Sequence, residues 1–274
     1  MSVTLGEALA RAAQGIGIVD ARALLGHALQ RDAAWLIAHG DDVLETGRRH
    51  AFDALVARRA AGEPVAYLTG QREFYGLAFR VTPAVLIPRP ETELLVDLML
   101  ERLPVGIEAG VLDLGTGSGC AAIAVAIHRP RARVVAVDMS RAALALAQEN
   151  AAAHGVVNIE FRLSDWFSRL DGASFDLIAA NPPYVAVGDP HLAQGDLRHE
   201  PAAALTAGED GLASLRGIAE TAPAHLDSGG WLLFEHGHDQ AMRCRELLSQ
   251  AGFAEVFSRA DIAGIERVSG GRLA

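Results

Sequence analysis

Two cysteines in 274 residues are too few for a disulfide framework, and neither Cys120 nor Cys244 sits in a CxxC pair. That excludes the stapled architecture of small secreted domains and fits a reducing, intracellular setting. Long apolar runs are missing as well: no stretch approaches the roughly 18 residues of a membrane span. The opening MSVTLGEALARAAQ carries charge in its first turns and has no unbroken apolar core, so it does not read as a signal peptide. Positive charge is in deficit. Lys and Arg total 24 against 34 Asp and Glu, a formal net charge of −10, which argues against a protein that lives on nucleic-acid phosphates. The expectation is a cytoplasmic protein with no membrane partner and no direct nucleic-acid partner. What is present is ordinary globular material, 50% hydrophobic and 21% charged, in a chain long enough for one large or two ordinary domains.

The first 60 or so residues carry helical periodicity and no strand pattern. Thr4 followed by Glu7 has the spacing of a capping box, and Leu5, Ala8, Leu9 and Ala12 then share a face. Further helices are expected around Ala21–Leu29, Ala33–His39 and Arg48–Arg59, giving a small all-α domain. Gly26, His27 and Trp35 read as bundle packing. The stretch EPVAYLTGQREFYGLAFRVTPAVLIPRPE mixes β-branched, aromatic, Gly and Pro residues and suits a hairpin-like linker. A helix restarts in IPRPETELLVDLMLERL, with Pro90 expected in its first turn and Glu91 and Glu93 at its positive end. The expected domains are therefore 1–72, helical; 73–88, a linker; and 89–274, an α/β domain.

That last part alternates strand and helix. Apolar strands read at Val111–Leu114, Val134–Asp138, Ile159–Leu163, Leu177–Ala180 and Trp231–Glu235. Helices fit at Ala121–His128, Arg141–His154, Leu212–Ala224 and Asp239–Ala251, and the tail reads as a closing antiparallel pair. Seven strands, mostly parallel and covered by helices on both faces, are the expected fold.

Gly115, Gly117 and Gly119 in VLDLGTGSGCAAIAVA lie between an apolar strand and an apolar helix. Glycine permits the tight turn and lets a ligand approach the backbone, while the next helix presents free N–H groups. A sharp strand-to-helix turn alone would also demand glycine. The second strand ends in Asp138, 19 residues beyond Gly119, where a carboxylate can accept from both hydroxyls of a ribose. As a helix N-cap Asp138 is redundant, because Ser140 can do that job. The next strand ends in Asp165 and Trp166, an acid for an adenine amino group and an indole to cover the ring. Ligands of open α/β sheets bind at the carboxyl ends of the strands. A nucleoside-type cofactor explains all three ends, and the GxGxG form favours S-adenosylmethionine over NAD.

The fourth strand runs into Asn181-Pro182-Pro183-Tyr184, next to the same crevice. Methyl transfer to a planar NH₂ group needs acceptors around its two N–H bonds, because its lone pair is delocalised. The Asn181 side-chain oxygen and the Pro182 carbonyl can be those acceptors, the prolines stiffen the backbone, and Tyr184 offers a flat face. A glutamine amide and an adenine amino group both meet that description. His236 and His238 are too isolated for a metal site, so no metal is expected.

The ordered set VLDLGTGSG, VVAVD, SDWF and ANPPYV resembles class I S-adenosylmethionine-dependent methyltransferases that modify amino groups. GEPVAYLTGQREFYG, LIPRPETE, RHEPAAALTAGEDGL and LFEHG further resemble the protein-(glutamine-N5) methyltransferases of peptide chain release factors. The resemblance covers nearly the whole chain. It implies that Gly115, Thr116, Gly117, Ser118, Gly119, Asp138, Trp166 and Asn181 hold S-adenosylmethionine, released as S-adenosylhomocysteine, to which the strand-end reading adds Asp165. It implies equally that Asn181, Pro182, Pro183 and Tyr184 hold the glutamine of a Gly-Gly-Gln tripeptide, with the helical domain helping to dock the release factor. A monomer is expected. It assigns no role to Arg89 or Glu200, and either can be a loop brace. NPPY alone is shared with adenine-N6 methyltransferases of DNA or RNA, which the acidic charge disfavours.

Overall fold

The structure, a computed structural model, describes residues 3–274. Residues 1 and 2, where the stretch weighed as a signal peptide begins, lie outside the described residues. The chain divides into two compact units: one runs up to Gln71 and includes Ala193–His199, the other comprises Arg72–Leu192 and Glu200–Ala274.

The first unit holds five helices: α1 (Leu5–Ile16), α2 (Ile18–Leu29), α3 (Ala33–Ala38), α4 (Thr46–Ala60) and α5 (Val65–Thr69). The capping box forms: Glu7 N–H donates to Thr4 Oγ1 at 3.2 Å, and Thr4 N–H donates to Glu7 Oε2 at 2.9 Å. Leu5, Leu24, Leu25, Leu36 and Phe52 pack together as its core. Arg59 pairs with Asp20 at 2.7 Å and with Asp196 at 2.8 Å, which fastens the 193–199 segment to α4.

The second unit opens one residue into a hairpin, β1 (Gln71–Phe74) and β2 (Leu77–Arg80), turned by Tyr75 and Gly76 with φ of 53° and 73°. The hairpin ends at Arg80, so the rest of the expected linker is irregular chain. Helix α6 (Thr92–Arg102) is capped at Glu91. Pro90 therefore sits ahead of the cap and not in the first turn, because Thr92 and Glu93 N–H bond the Arg89 and Pro90 carbonyls in tight turns. There follow β3 (Gly110–Leu114), α7 (Cys120–His128), β4 (Arg133–Asp138), α8 (Arg141–Ala153), β5 (Ile159–Leu163) and β6 (Phe175–Ala180). After an irregular stretch come α9 (Ala213–Thr221), β7 (Leu226–Glu235), α10 (Ala241–Gln250), β8 (Phe253–Ala260) and β9 (Glu266–Leu273). The expected helix over 212–224 stops early, since Pro223 lacks an N–H and the chain tightens into a 3₁₀ turn at Ala222–His225.

The seven strands order as β5-β4-β3-β6-β7-β9-β8, parallel except where β9 runs against β7 and β8. Alternation along the strands splits the core in two. Val111, Leu177 and Ala179 face α6 and α7, while Leu112, Ile178 and Ala180 face α9 and α10. Truncating one of these buried leucines to alanine costs about 2–5 kcal/mol, so both faces are needed. The chain leaves β3 for one edge and returns to β6 on β3's other side. That reversal is the topological switch point, and a crevice opens at the carboxyl ends of β3 and β6.

Candidate active site

A cavity of about 260 Å³ lies at that crevice, walled by the loops after β3, β4, β5 and β6. Gly115, Thr116, Gly117, Ser118, Asp138, Asp165, Trp166, Asn181 and Pro183 line it. Gly119, Pro182 and Tyr184, also expected at the site, are not on its wall. Gly119 caps α7 at φ +82°, and a Cβ there would press Ile123 Cδ1 at 2.9 Å and Ala147 Cβ at 3.1 Å. Its requirement for glycine is internal packing. Pro182 is buried, and the Tyr184 ring packs against the second core cluster.

Asp138 closes the glycine loop. Its Oδ2 accepts the Gly117 N–H at 2.9 Å and its Oδ1 accepts the Ser140 N–H at 2.8 Å. Each oxygen keeps a further lone pair for a ligand. Ser140 caps α8 through Ala143 N–H at 3.2 Å, so Asp138 is free of that duty. Trp166 adopts φ +45°, rare for a bulky residue, and Ser164 Oγ fastens the turn by donating to the Trp166 carbonyl at 2.8 Å. That conformation lays the indole beside Gly115, where an added Cβ would meet Cζ3 at 3.5 Å. Asp165 is exposed on the rim.

Deeper in the cavity, Asp113 Oδ2 and Thr116 Oγ1 are buried without a well-formed hydrogen bond, although the Thr116 side chain is near enough to Asp113 to oppose the rise of its carboxyl. Burial raises the Asp113 carboxyl to about 7. Unpaired polar atoms of this kind on a cavity wall are what a polar ligand would satisfy. Around them run apolar Leu95, Ala121 and Ala143, suited to a nucleoside.

Asn181, at the end of β6, donates from Nδ2 to Thr92 Oγ1 at 3.0 Å. Thr92 in turn donates to Glu235 Oε2 at 2.7 Å, and the Tyr184 hydroxyl donates to Glu235 Oε1 at 3.2 Å. Burial raises the Glu235 carboxyl to about 7 and pushes the Tyr184 phenol well above its usual range, reinforced by the Glu235 charge. The turn is stapled further on: Val185 N–H bonds the Leu205 carbonyl and Gln240 Nε2 donates to the Tyr184 carbonyl at 3.0 Å.

Thr92, Glu235, Arg89 and Glu200 carry no local sequence signal of a role at the site. The Glu200 side chain is fully buried and holds Arg89 Nη2 at 2.5 Å and Ile87 N–H at 3.3 Å. Pro88 and Arg89 on one side and Pro201, Ala203 and Ala204 on the other line the cavity, so this pair ties two walls together. His236 is consumed internally, with Nδ1–H donating to the Gly237 carbonyl and Nε2 accepting from Ser269. Among the described residues no group of three or more His, Cys, Asp or Glu is placed to hold a metal. No helix of the described residues is long and apolar enough to cross a membrane.

The methyltransferase small domain family matches residues 91–208, and the PrmC N-terminal domain family matches residues 5–70. A "release factor glutamine methyltransferase" of Xylella fastidiosa is 53% identical across 96% of this chain and 96% of its own. One of Burkholderia pseudomallei is 52% identical across 95% of this chain and 94% of its own. The chain belongs to the release factor glutamine methyltransferase family. Among solved structures, a methyltransferase from Pyrococcus furiosus superposes with a TM-score of 0.54 at 16% identity, over 79% of this chain and 96% of that one. That likeness speaks for the fold alone. For a release factor glutamine methyltransferase the cofactor is S-adenosylmethionine, and the wall just described fits it: a paired carboxylate with spare lone pairs, an indole, apolar flanks and two unpaired buried oxygens.

Proposed function

We propose that this protein transfers the methyl group of S-adenosylmethionine to the side-chain amide nitrogen (N5) of the glutamine in the Gly-Gly-Gln motif of peptide chain release factors. One observation carries the reading: Asn181 stands on the cavity wall with its Nδ2 taken by Thr92, which leaves Oδ1 for a substrate N–H. Asp138 would hold the ribose hydroxyls, Asp165 the adenine amino group, Trp166 the ring, and the Gly115–Gly119 backbone the remainder. When bound, the cofactor supplies an electrophilic methyl on a sulfonium. Asn181 Oδ1 and the Pro182 carbonyl would accept the two amide N–H groups and aim the nitrogen lone pair, with Pro183 bounding the amide. The amide nitrogen would provide the pair for the new C–N bond as the methyl C–S bond breaks and its pair passes to sulfur, leaving S-adenosylhomocysteine, and the nitrogen would afterwards release a proton to water. Orientation of this kind contributes several kcal/mol, roughly, without a strong general base.

Residues 1–72 are assigned to docking the release factor, and the enzyme to the cytoplasm as a monomer without nucleic-acid contact. Radiolabelled S-adenosylmethionine offered with release factor, DNA or RNA tests the reading. Label is expected on the release factor; label on nucleic acid instead would refute it.

A further inference from the structure

An asparagine amide has an accepting end and a donating end, and only the accepting end serves a substrate N–H. Something must hold the Asn181 amide the right way round. Thr92, the first residue of α6, and Glu235, the last of β7, are 3% and 1% exposed. Thr92 Oγ1 is 2.7 Å from Glu235 Oε2 and 3.0 Å from Asn181 Nδ2. The opposite Glu235 oxygen is met by the Tyr184 hydroxyl at 3.2 Å.

On the alkaline side of the Glu235 carboxyl, where it is ionised, the directions of these bonds are forced. An ionised carboxylate can only accept, so Glu235 takes the Thr92 and Tyr184 protons. A threonine hydroxyl has one proton. With that proton given to Glu235, Thr92 faces Asn181 with lone pairs alone, and only Nδ2 can turn toward it. Oδ1 is thereby turned away from Thr92. Resting on the methyl-transfer reading above, we propose that Glu235 and Thr92 are positioning residues. They form a buried relay that fixes which end of the Asn181 amide is offered to the substrate. Tyr184 belongs to the same anchor, since its hydroxyl occupies the other oxygen.

The Glu235 carboxyl is raised to about 7 chiefly by burial, with the hydrogen bonds from Thr92 and Tyr184 and the Arg267 guanidinium lowering it and the Glu91 carboxylate raising it. Assays are therefore run well on its alkaline side.

The test compares full-length wild type with Thr92→Val, Thr92→Ser and Glu235→Gln. Readouts are kcat and KM for release factor, plus cofactor affinity measured by calorimetry without substrate. Valine keeps the shape and removes the hydroxyl; serine keeps the hydroxyl. The Glu235→Gln amide can donate to Thr92 and so releases the constraint. Expected are a kcat loss of about tenfold or more for Thr92→Val and Glu235→Gln, with cofactor affinity within about twofold of wild type. Thr92→Ser recovers kcat to within about threefold. The relay is refuted if Thr92→Val keeps its kcat, if serine and valine fall alike, or if kcat and cofactor affinity fall together. Should Thr92→Val fail to fold, the isosteric Glu235→Gln carries the same comparison. A wild-type protein that leaves release factor unmethylated refutes the activity itself, whereas an active wild type with an unimpaired Thr92→Val refutes only the relay.

Discussion

Asp138 and Gly117 are joined across the mouth of the cavity: the Gly117 N–H donates to Asp138 Oδ2 at 2.9 Å. The carboxylate thus shapes the glycine loop and still has lone pairs for a ligand. Asp138→Ala removes both roles. Since a hydrogen bond to a charged group contributes about 1.5–3 kcal/mol, cofactor affinity should fall roughly ten- to hundredfold. Isothermal calorimetry checks this; an unchanged Kd would place the cofactor elsewhere.

The glycines of that loop separate by function. Gly119→Ala forces a Cβ against Ile123 and Ala147 at a left-handed φ, so stability should drop by about 2 kcal/mol or more. At Gly117, φ is +55° and an added Cβ meets nothing within 4 Å. Gly117→Ala should lose only about 1–2 kcal/mol of stability. It should weaken cofactor binding instead, because it narrows the cavity. Urea unfolding and calorimetry on both variants give the contrast; similar stability losses would contradict it.

Burial raises Asp113 to about 7. Between the unfolded value near 4 and about 7, the folded state holds a proton that the unfolded state has released. Stability from this group is complete below that window and declines as pH rises through it, by about 1.4 kcal/mol per pH unit at the steepest. Asp113→Asn cannot titrate. Its stability should therefore gain on wild type from pH about 4 to about 7 and keep a constant lead above. Parallel urea curves across that range would show that Asp113 is not buried as a neutral acid.

Glu200 ties the Pro88–Arg89 wall to the Pro201–Ala204 wall. Glu200→Ala leaves Arg89, whose side chain is 29% exposed, to find solvent. The expected loss is about 1–3 kcal/mol of stability, together with a raised KM for release factor. A variant with wild-type stability and KM would make the pair incidental.

Much of this was legible in the sequence because it is periodic or local. Strands such as Val134–Asp138 announce themselves by continuous apolar residues, and Thr4 and Glu7 cap a helix within one turn. Asp138 and Trp166 were legible because a parallel sheet delivers strand ends to one edge. Thr92 and Glu235 were not: 143 residues separate them, and a threonine opening a helix reads as an ordinary first-turn residue. Nothing in local periodicity records which helix turn meets which strand end. Tyr184 shows the same limit, since its aromatic ring suggested a substrate face while its hydroxyl has the buried partner Glu235. Gly119 shared the glycine pattern although its constraint comes from α7 and α8 packing.

Mass spectrometry of a release factor incubated with the purified protein and S-adenosylmethionine is the most direct test of the proposed activity. Fragmentation should locate a single added methyl on the glutamine of the Gly-Gly-Gln peptide, and Asn181→Ala, with much of its cofactor affinity retained, should leave that peptide nearly unmodified. An unmodified glutamine with the wild-type protein, or a methyl on any other residue, would contradict it.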